Sequence, residues 1–177
     1  MVLECDDGYL DLYTQAFPVL KQHHFRAVAY IVGGFFGRAG NVTVEQVKEM
    51  DAYGIEIGAH TMDHVDLTRS DAVTLHWEVK ASRTTLESIV GHPVLDFCYP
   101  SGRYNQGVIQ EVQSAGFESA TVTIPGSTHY WVDRYTWTRV RVSGGESLAT
   151  FAMELAQHEE GTPPVSVSPI QIPRVYP

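Results

Sequence analysis

Residues 55–64 read Ile55-Glu56-Ile57-Gly58-Ala59-His60-Thr61-Met62-Asp63-His64. Apolar residues alternate through the first half, which predicts a short strand over 56–59. The second half is a His-x-x-x-His string, so the strand runs straight into a pair of imidazoles. Just upstream, 44–53 follows Thr43, a good N-cap, and stops at Gly54, which predicts a helix. The same alternation extends in both directions. Strands are predicted at 2–5, 27–32, 56–59, 94–99, 119–124 and 137–142. Helices are predicted at 10–22, 44–53, 71–90, 106–115 and 147–158, the third carrying Leu75, Val79, Leu86 and Val90 at helical spacing. Alternating β and α units imply a parallel sheet or barrel. Six strands fall short of an eight-fold barrel, which takes about 250 residues. The expected fold is α/β: a distorted or incomplete (β/α) barrel of about six to seven strands.

The 177 residues suit one domain, and 44% of them are hydrophobic. Net charge is −9 with only 12 Lys and Arg, and no basic stripe is present, which excludes a nucleic-acid partner. No apolar run approaches the roughly 20 residues of a membrane span. The first residues read as a core strand and not as a signal peptide. A strand beginning at residue 2 gives the expectation that the domain, 1–160, lacks its usual first segment. From Gly161 the composition turns to Pro, Ser and Val, with Thr162-Pro163-Pro164, Ser168-Pro169, Pro173 and Pro177. Residues 161–177 are therefore expected to form an extended tail, a possible route to a homo-oligomer. Cys5 and Cys98 are too few for a disulfide scaffold. Free thiols are expected, with a disulfide or an extra metal ligand as alternatives.

Two further strings fall at predicted strand ends: Asp6-Asp7-Gly8-Tyr9 after the first strand and Tyr99-Pro100 after the fourth. Barrel active sites sit at the C-terminal ends of strands. Taken singly, Asp-Asp-Gly is a common turn and His-x-x-x-His is common on solvated helices. Together, at neighbouring strand ends, they offer one carboxylate and two imidazoles to a metal and leave a second carboxylate free to act on water. Three protein ligands with an open position are the pattern of a catalytic zinc site. Asp6 and Asp7 would face opposite ways within a strand. Both reach one centre only if the strand has already ended, which Gly8 permits.

These strings resemble the polysaccharide deacetylases, the NodB-homology family (carbohydrate esterase family four). Glu4-Cys5-Asp6-Asp7-Gly8 is similar to the family's T-F-D-D-G, and His60–His64 to its H-[ST]-x-x-H. Phe97-Cys98-Tyr99-Pro100-Ser101-Gly102 resembles the F-x-Y-P-x-G form of the third motif, found in a branch that includes deacetylases of poly-N-acetylglucosamine. Arg139-Val140-Arg141-Val142-Ser143-Gly144-Gly145 resembles that branch too. The resemblance spans roughly 2–155 and implies a NodB-like barrel and a metal-dependent hydrolase acting on an acetylated carbohydrate. It implies that Asp7, His60 and His64 hold one divalent ion, zinc first, with cobalt, nickel or manganese possible. It gives Asp6 the role of general base, and Tyr99, Pro100, Ser101 and Arg103 that of oxyanion and substrate contacts, through a backbone N–H near Ser101. It relates Asp133 and Arg139 to a late motif that supports the base.

The departures are specific. Glu4 and Cys5 replace Thr and Phe, Val65 replaces a Pro, and Cys98 stands where most relatives carry an Arg that orients the base. No L-x-H string supplies the general acid, so His129 and His158 are the only late candidates for the proton donor, and weak turnover of amides is expected. His23-His24 suits a helix end, and His76 and His92 read as surface. Trp131, Trp137, Tyr99 and Tyr104 offer aromatic faces to a sugar, with core packing equally open to Trp137. Beside N-deacetylation stand two alternatives: a relative acting on O-acetyl esters or non-sugar amides, and a homologue that binds metal and sugar without turnover. The family usually acts outside the cytoplasm, though this sequence carries no export signal.

Overall fold

The computed structural model describes residues 2–159, with side chains through 156. The proposed tail, 161–177, and the side chain of His158 lie outside the described residues. Six parallel strands form one sheet whose order follows the chain: β1 Glu4–Cys5, β2 Val28–Ile31, β3 Glu56–Ala59, β4 Asp96–Cys98, β5 Ser119–Pro125 and β6 Trp137–Arg139. The helices are α1 Phe17–Gln22, α2 Val44–Tyr53, α3 Ala72–Val90, α4 Gln106–Ser114 and α5 Leu148–Glu159. Each strand adds beside the last, so the sheet curls into an incomplete barrel, as expected. No described helix is long and apolar enough to cross a membrane.

Alternation along the strands separates two faces. Ala29 and Ile31 of β2, Phe97 of β4, and Ala120 and Val122 of β5 point outward and join Val47 and Met50 of α2, Val79 and Leu86 of α3, and Val108 and Val112 of α4 in the main core. On the inner face Val28, Tyr30 and Cys98 form a smaller cluster. Gly58 of β3 leaves room there for the Tyr30 ring, whose Cδ1 would lie 2.5 Å from any Cβ added at Gly58. The helices start where capping side chains stand. Thr43 and Gln46 form a reciprocal capping box, and Asp71 and Asn105 accept the N–H groups of Thr74 and Val108.

Two predicted elements differ in detail. The helix expected over 10–22 opens with a widened turn, Leu12–Ala16, in which the Phe17 N–H reaches the Leu12 carbonyl. Pro18 has no N–H to donate to the preceding turn, so the regular ladder cannot run through it. The last strand stops at Arg139, three residues short of the expected 142. Its partner there is Pro125, which has no N–H to donate, and the pairing ends with the Gly126 N–H on the Arg139 carbonyl. Both cysteines are free, Cys98 buried and Cys5 partly so.

At the N-terminal ends of β3 and β4, Glu56 hydrogen-bonds with Asp96, which in turn accepts from the Ser119 hydroxyl. This contact with a second carboxylate, and partial burial, push the Glu56 carboxyl up to about 7. Its folded value lies above its unfolded one. The pair's contribution to stability is therefore complete below the ordinary carboxylate range and is lost as pH rises through about 7. A glutamine donates to Asp96 at every pH. Glu56→Gln should melt close to wild type at pH 5 and progressively above it towards pH 8. A melting-temperature difference that stays constant from pH 5 to 8 would rule out a shared proton.

Candidate active site

The C-terminal ends of β1, β3 and β4 meet at one point. Asp7 follows β1 in a left-handed turn, with φ +71° at Asp7 and +67° at Gly8. That turn ends the strand and frees Asp6 and Asp7 to face the same side. The loop after β2 holds it, the Val42 N–H donating to the Gly8 carbonyl (3.0 Å). His60 follows β3, buried at 2% exposure. Its Nε2 lies 3.3 Å from Asp7 Oδ1, and His64 Nε2 lies 3.2 Å from the same oxygen. One donor atom from each of Asp7, His60 and His64 fits within 4.8 Å of the others. The Nδ1–H of His60 donates to the Cys98 carbonyl at 2.6 Å. A carbonyl only accepts, so Nδ1 carries a proton, and in the neutral ring Nε2 is then the nitrogen open to a metal. Hydrogen bonds from the two imidazoles hold the Asp7 carboxyl far below the usual range, and Asp7 raises His64 in return.

The His60–His64 loop is strained, with φ +64° at Thr61 and +55° at His64. Neighbours fix it on every side. The N–H groups of Gly33 and Gly34, just beyond β2, donate to the Thr61 and Met62 carbonyls at 2.9 and 2.8 Å. The Thr61 hydroxyl accepts the His64 N–H at 2.9 Å. Glu78 of α3, 2% exposed, accepts the N–H groups of Met62 and Asp63 on one oxygen, at 2.8 and 3.0 Å. Gly34 has to be glycine, because a Cβ there would lie 2.5 Å from the Met62 carbonyl oxygen. None of these braces was identified from the sequence. One signal was present for Glu78: a charged residue within the apolar stripe Leu75, Val79, Leu86.

Asp6 belongs to a second set of contacts. The Arg139 guanidinium from β6 grips it with two parallel bonds, NH1 to Oδ1 at 2.7 Å and NH2 to Oδ2 at 2.8 Å. Arg139 also donates to Glu4 Oε2 (3.3 Å) and to the Val122 carbonyl (3.1 Å), and touches Cys98 Sγ at 3.4 Å. The pairing raises Arg139 further above its ordinary value, while burial raises Glu4 against the pull of Arg139. Of the two late candidates, Arg139 reaches the acid. Asp133 instead caps its own turn, accepting the Tyr130 N–H at 2.9 Å.

The third motif forms a tight turn with Ser101 exposed at φ +54°. Tyr99 and Pro100 are buried, and the Tyr99 hydroxyl donates to the Tyr135 carbonyl (3.0 Å). The expectation of an open Tyr99 ring is corrected: its side chain is core, and it shapes the turn that presents Ser101. Arg103 is exposed and paired with Asp66 at 2.7 Å. His129 is exposed, and its Nε2 bonds the Thr138 carbonyl (2.7 Å), one residue before Arg139. Trp131 and Trp137 stand 6.5 Å apart beside it. A cavity of about 280 Å³ opens beside Asp6, lined by Cys5, Tyr9, Leu12 and Gln15 among others.

A family profile described as Polysaccharide deacetylase matches residues 1–120. The chain belongs to the polysaccharide deacetylase family. It is 32% identical over 151 residues to YxkH of Bacillus subtilis, covering 85% of this chain and 54% of that protein. It is 30% identical over 115 residues to a peptidoglycan-N-acetylglucosamine deacetylase of Bacillus cereus, covering 64% and 52%. Among solved structures, the deacetylase PplD of Streptococcus pyogenes, in complex with acetate, superposes with a TM-score of 0.81 at 27% identity, covering 86% of this chain and 68% of that one. The chain spans about half the length of the two curated relatives. The resemblance leads to the expectation of an arginine from the third motif beside Asp6. Here that place is Cys98, and the guanidinium comes from β6.

Breaking this pair should be costly. Arg139→Ala leaves Glu4 and Asp6 unpaired and should lower unfolding free energy in urea by about 3 kcal/mol, the low end for a buried pair, since the Asp6 side chain keeps 30% of its surface. Arg139→Lys should recover little, because an ammonium cannot make the two-pronged bond. A loss below about 1 kcal/mol, the scale of an exposed surface pair, would show that the fork is not structural.

Proposed function

We propose that this chain hydrolyses N-acetyl groups of an N-acetylated polysaccharide or oligosaccharide, using one divalent ion held by Asp7, His60 and His64. The observation that carries the reading is the convergence of two imidazole nitrogens on one Asp7 oxygen, with a second carboxylate, Asp6, held by Arg139 next to it in the chain. Two neutral nitrogens and one carboxylate oxygen are a donor set suited to zinc. The proton on His60 Nδ1, tied to the Cys98 carbonyl, keeps Nε2 free for an ion. When bound, such an ion lowers the pKa of water towards 7 and polarises a carbonyl.

Asp6 is the general base. The Arg139 fork occupies one lone pair on each Asp6 oxygen and fixes the plane of the carboxylate. The lone pairs left over accept the proton that water gives up as it adds to the acetyl carbonyl, and that proton passes to the amide nitrogen as the C–N bond breaks, releasing acetate and the amine. Ser101, raised on its left-handed turn, offers backbone N–H to the developing oxyanion. Names of relatives that specify peptidoglycan N-acetylglucosamine and chitooligosaccharides favour an N-acetylated sugar polymer as substrate.

Acetate release from chitin oligomers and acetylxylan, with and without added zinc or cobalt, tests the reading. Asp6→Asn should keep its metal and lose about 10²–10⁴-fold in turnover. Near-wild-type turnover in Asp6→Asn would remove it as the base. Protein purified without chelator should carry close to one metal per chain, and His60→Ala close to none. Equal metal content in the two would sink the metal assignment.

A further inference from the structure

We propose that Glu78 is a positioning residue for the metal centre: its buried carboxylate holds the His60–His64 loop in its strained shape and supplies a second negative charge behind the ion. This rests on the metal-centred reading above. Glu78 lies on α3, outside every motif that marks the site, and touches none of the three candidate ligands. Its Oε2 accepts two consecutive loop N–H groups, Met62 at 2.8 Å and Asp63 at 3.0 Å, and it is 2% exposed. Buried carboxylates without a partner are expensive, and two N–H donors are the stabilising contacts the structure gives this one. No cation among the described residues forms a salt bridge with it.

The loop needs such an anchor. Thr61 and His64 are non-glycine residues in the left-handed region, each costing of order 1–3 kcal/mol unless the surroundings over-determine the shape. Three successive N–H groups, at 62, 63 and 64, must turn away from the strand ladder to bring both imidazoles to Asp7. Thr61 Oγ1 takes the last of them, and Glu78 takes the other two. Gly33 and Gly34 take the Thr61 and Met62 carbonyls on the opposite side. The α3 stripe continues one and two turns on, where Ser82 is fully buried against Gly33 and the Thr85 hydroxyl reaches Met62 Sδ at 3.8 Å. The loop is thus clamped between β2 and α3, and Glu78 is the charged element of the clamp.

Removal of groups that orient metal ligands from behind typically weakens metal affinity by 10–100-fold. The test titrates Co²⁺ into apo-protein, following its visible absorption, with Zn²⁺ competition to set the affinity. Wild type, His60→Ala, Glu78→Gln and Glu78→Asp are compared, each checked for folding by circular dichroism. Glu78→Gln keeps the shape but not the charge, and Glu78→Asp keeps the charge but withdraws the oxygen by one methylene. Both should fold, bind Co²⁺ about 10–100-fold more weakly than wild type, and give altered cobalt spectra. If one variant does not fold, the other carries the test. Wild-type affinity and spectrum in a folded Glu78 variant overturns the proposal. Equal, weak cobalt binding by wild type and His60→Ala would instead overturn the metal reading itself.

Discussion

One ion pair joins the first strand of this sheet to the last. Arg139 leaves β6, crosses the inside of the curl, and closes two bonds on Asp6 and one on Glu4. An incomplete barrel has two free edges and no ladder hydrogen bonds between them. The fork supplies a cross-link that the backbone does not. Because the same carboxylate is the proposed base, closure of the sheet and orientation of the base are one event. The burial of Tyr30, Cys98 and Thr121 on the inner face excludes water around the pair and raises its strength relative to a surface contact.

Around that link, the site concentrates backbone strain. Among the described residues five non-glycine residues have positive φ, and four of them are Asp7, Thr61, His64 and Ser101. Each follows the C-terminal end of a strand, where the chain must turn sharply to present a side chain or an amide to the centre. The cost is met by neighbouring loops and by α3: Gly33, Gly34 and Glu78 for the histidine loop, Val42 for the aspartate turn, Thr123 for the Ser101 turn. The sheet brings the strand ends together, and these secondary contacts convert proximity into geometry.

Much of this was legible in the residues. The βα alternation gave the parallel sheet, because each strand and helix carries its own period and its own caps. That Asp7, His60 and His64 converge was legible because each stands in a short string at the end of a strand. The rest was hidden for physical reasons. Arg139 was named only through the family resemblance, because it acts across 133 residues of chain and no local period encodes such a contact. Glu78 stands out in the apolar stripe of its helix, but which loop it serves is not written in the helix. Tyr99 reads as an aromatic face beside a motif, yet the turn that exposes Ser101 turns the Tyr99 ring into the core. The widened turn before Pro18 was foreseeable from the proline, but its width was not.

The strictly sequential order of the sheet has a kinetic side. A strand that pairs only with its predecessor can add as it is synthesised, with little loop entropy to overcome. Asp7, His60 and His64 all precede residue 65, whereas the guanidinium that orients Asp6 arrives with the final strand. On the proposed function, a growing chain completes the Asp7, His60 and His64 cluster, with Glu78 and the Cys98 carbonyl behind it, two strands before Arg139 aligns Asp6. On that reading, ion capture would favour the earlier strands while alignment of Asp6 waits for the end of the sheet.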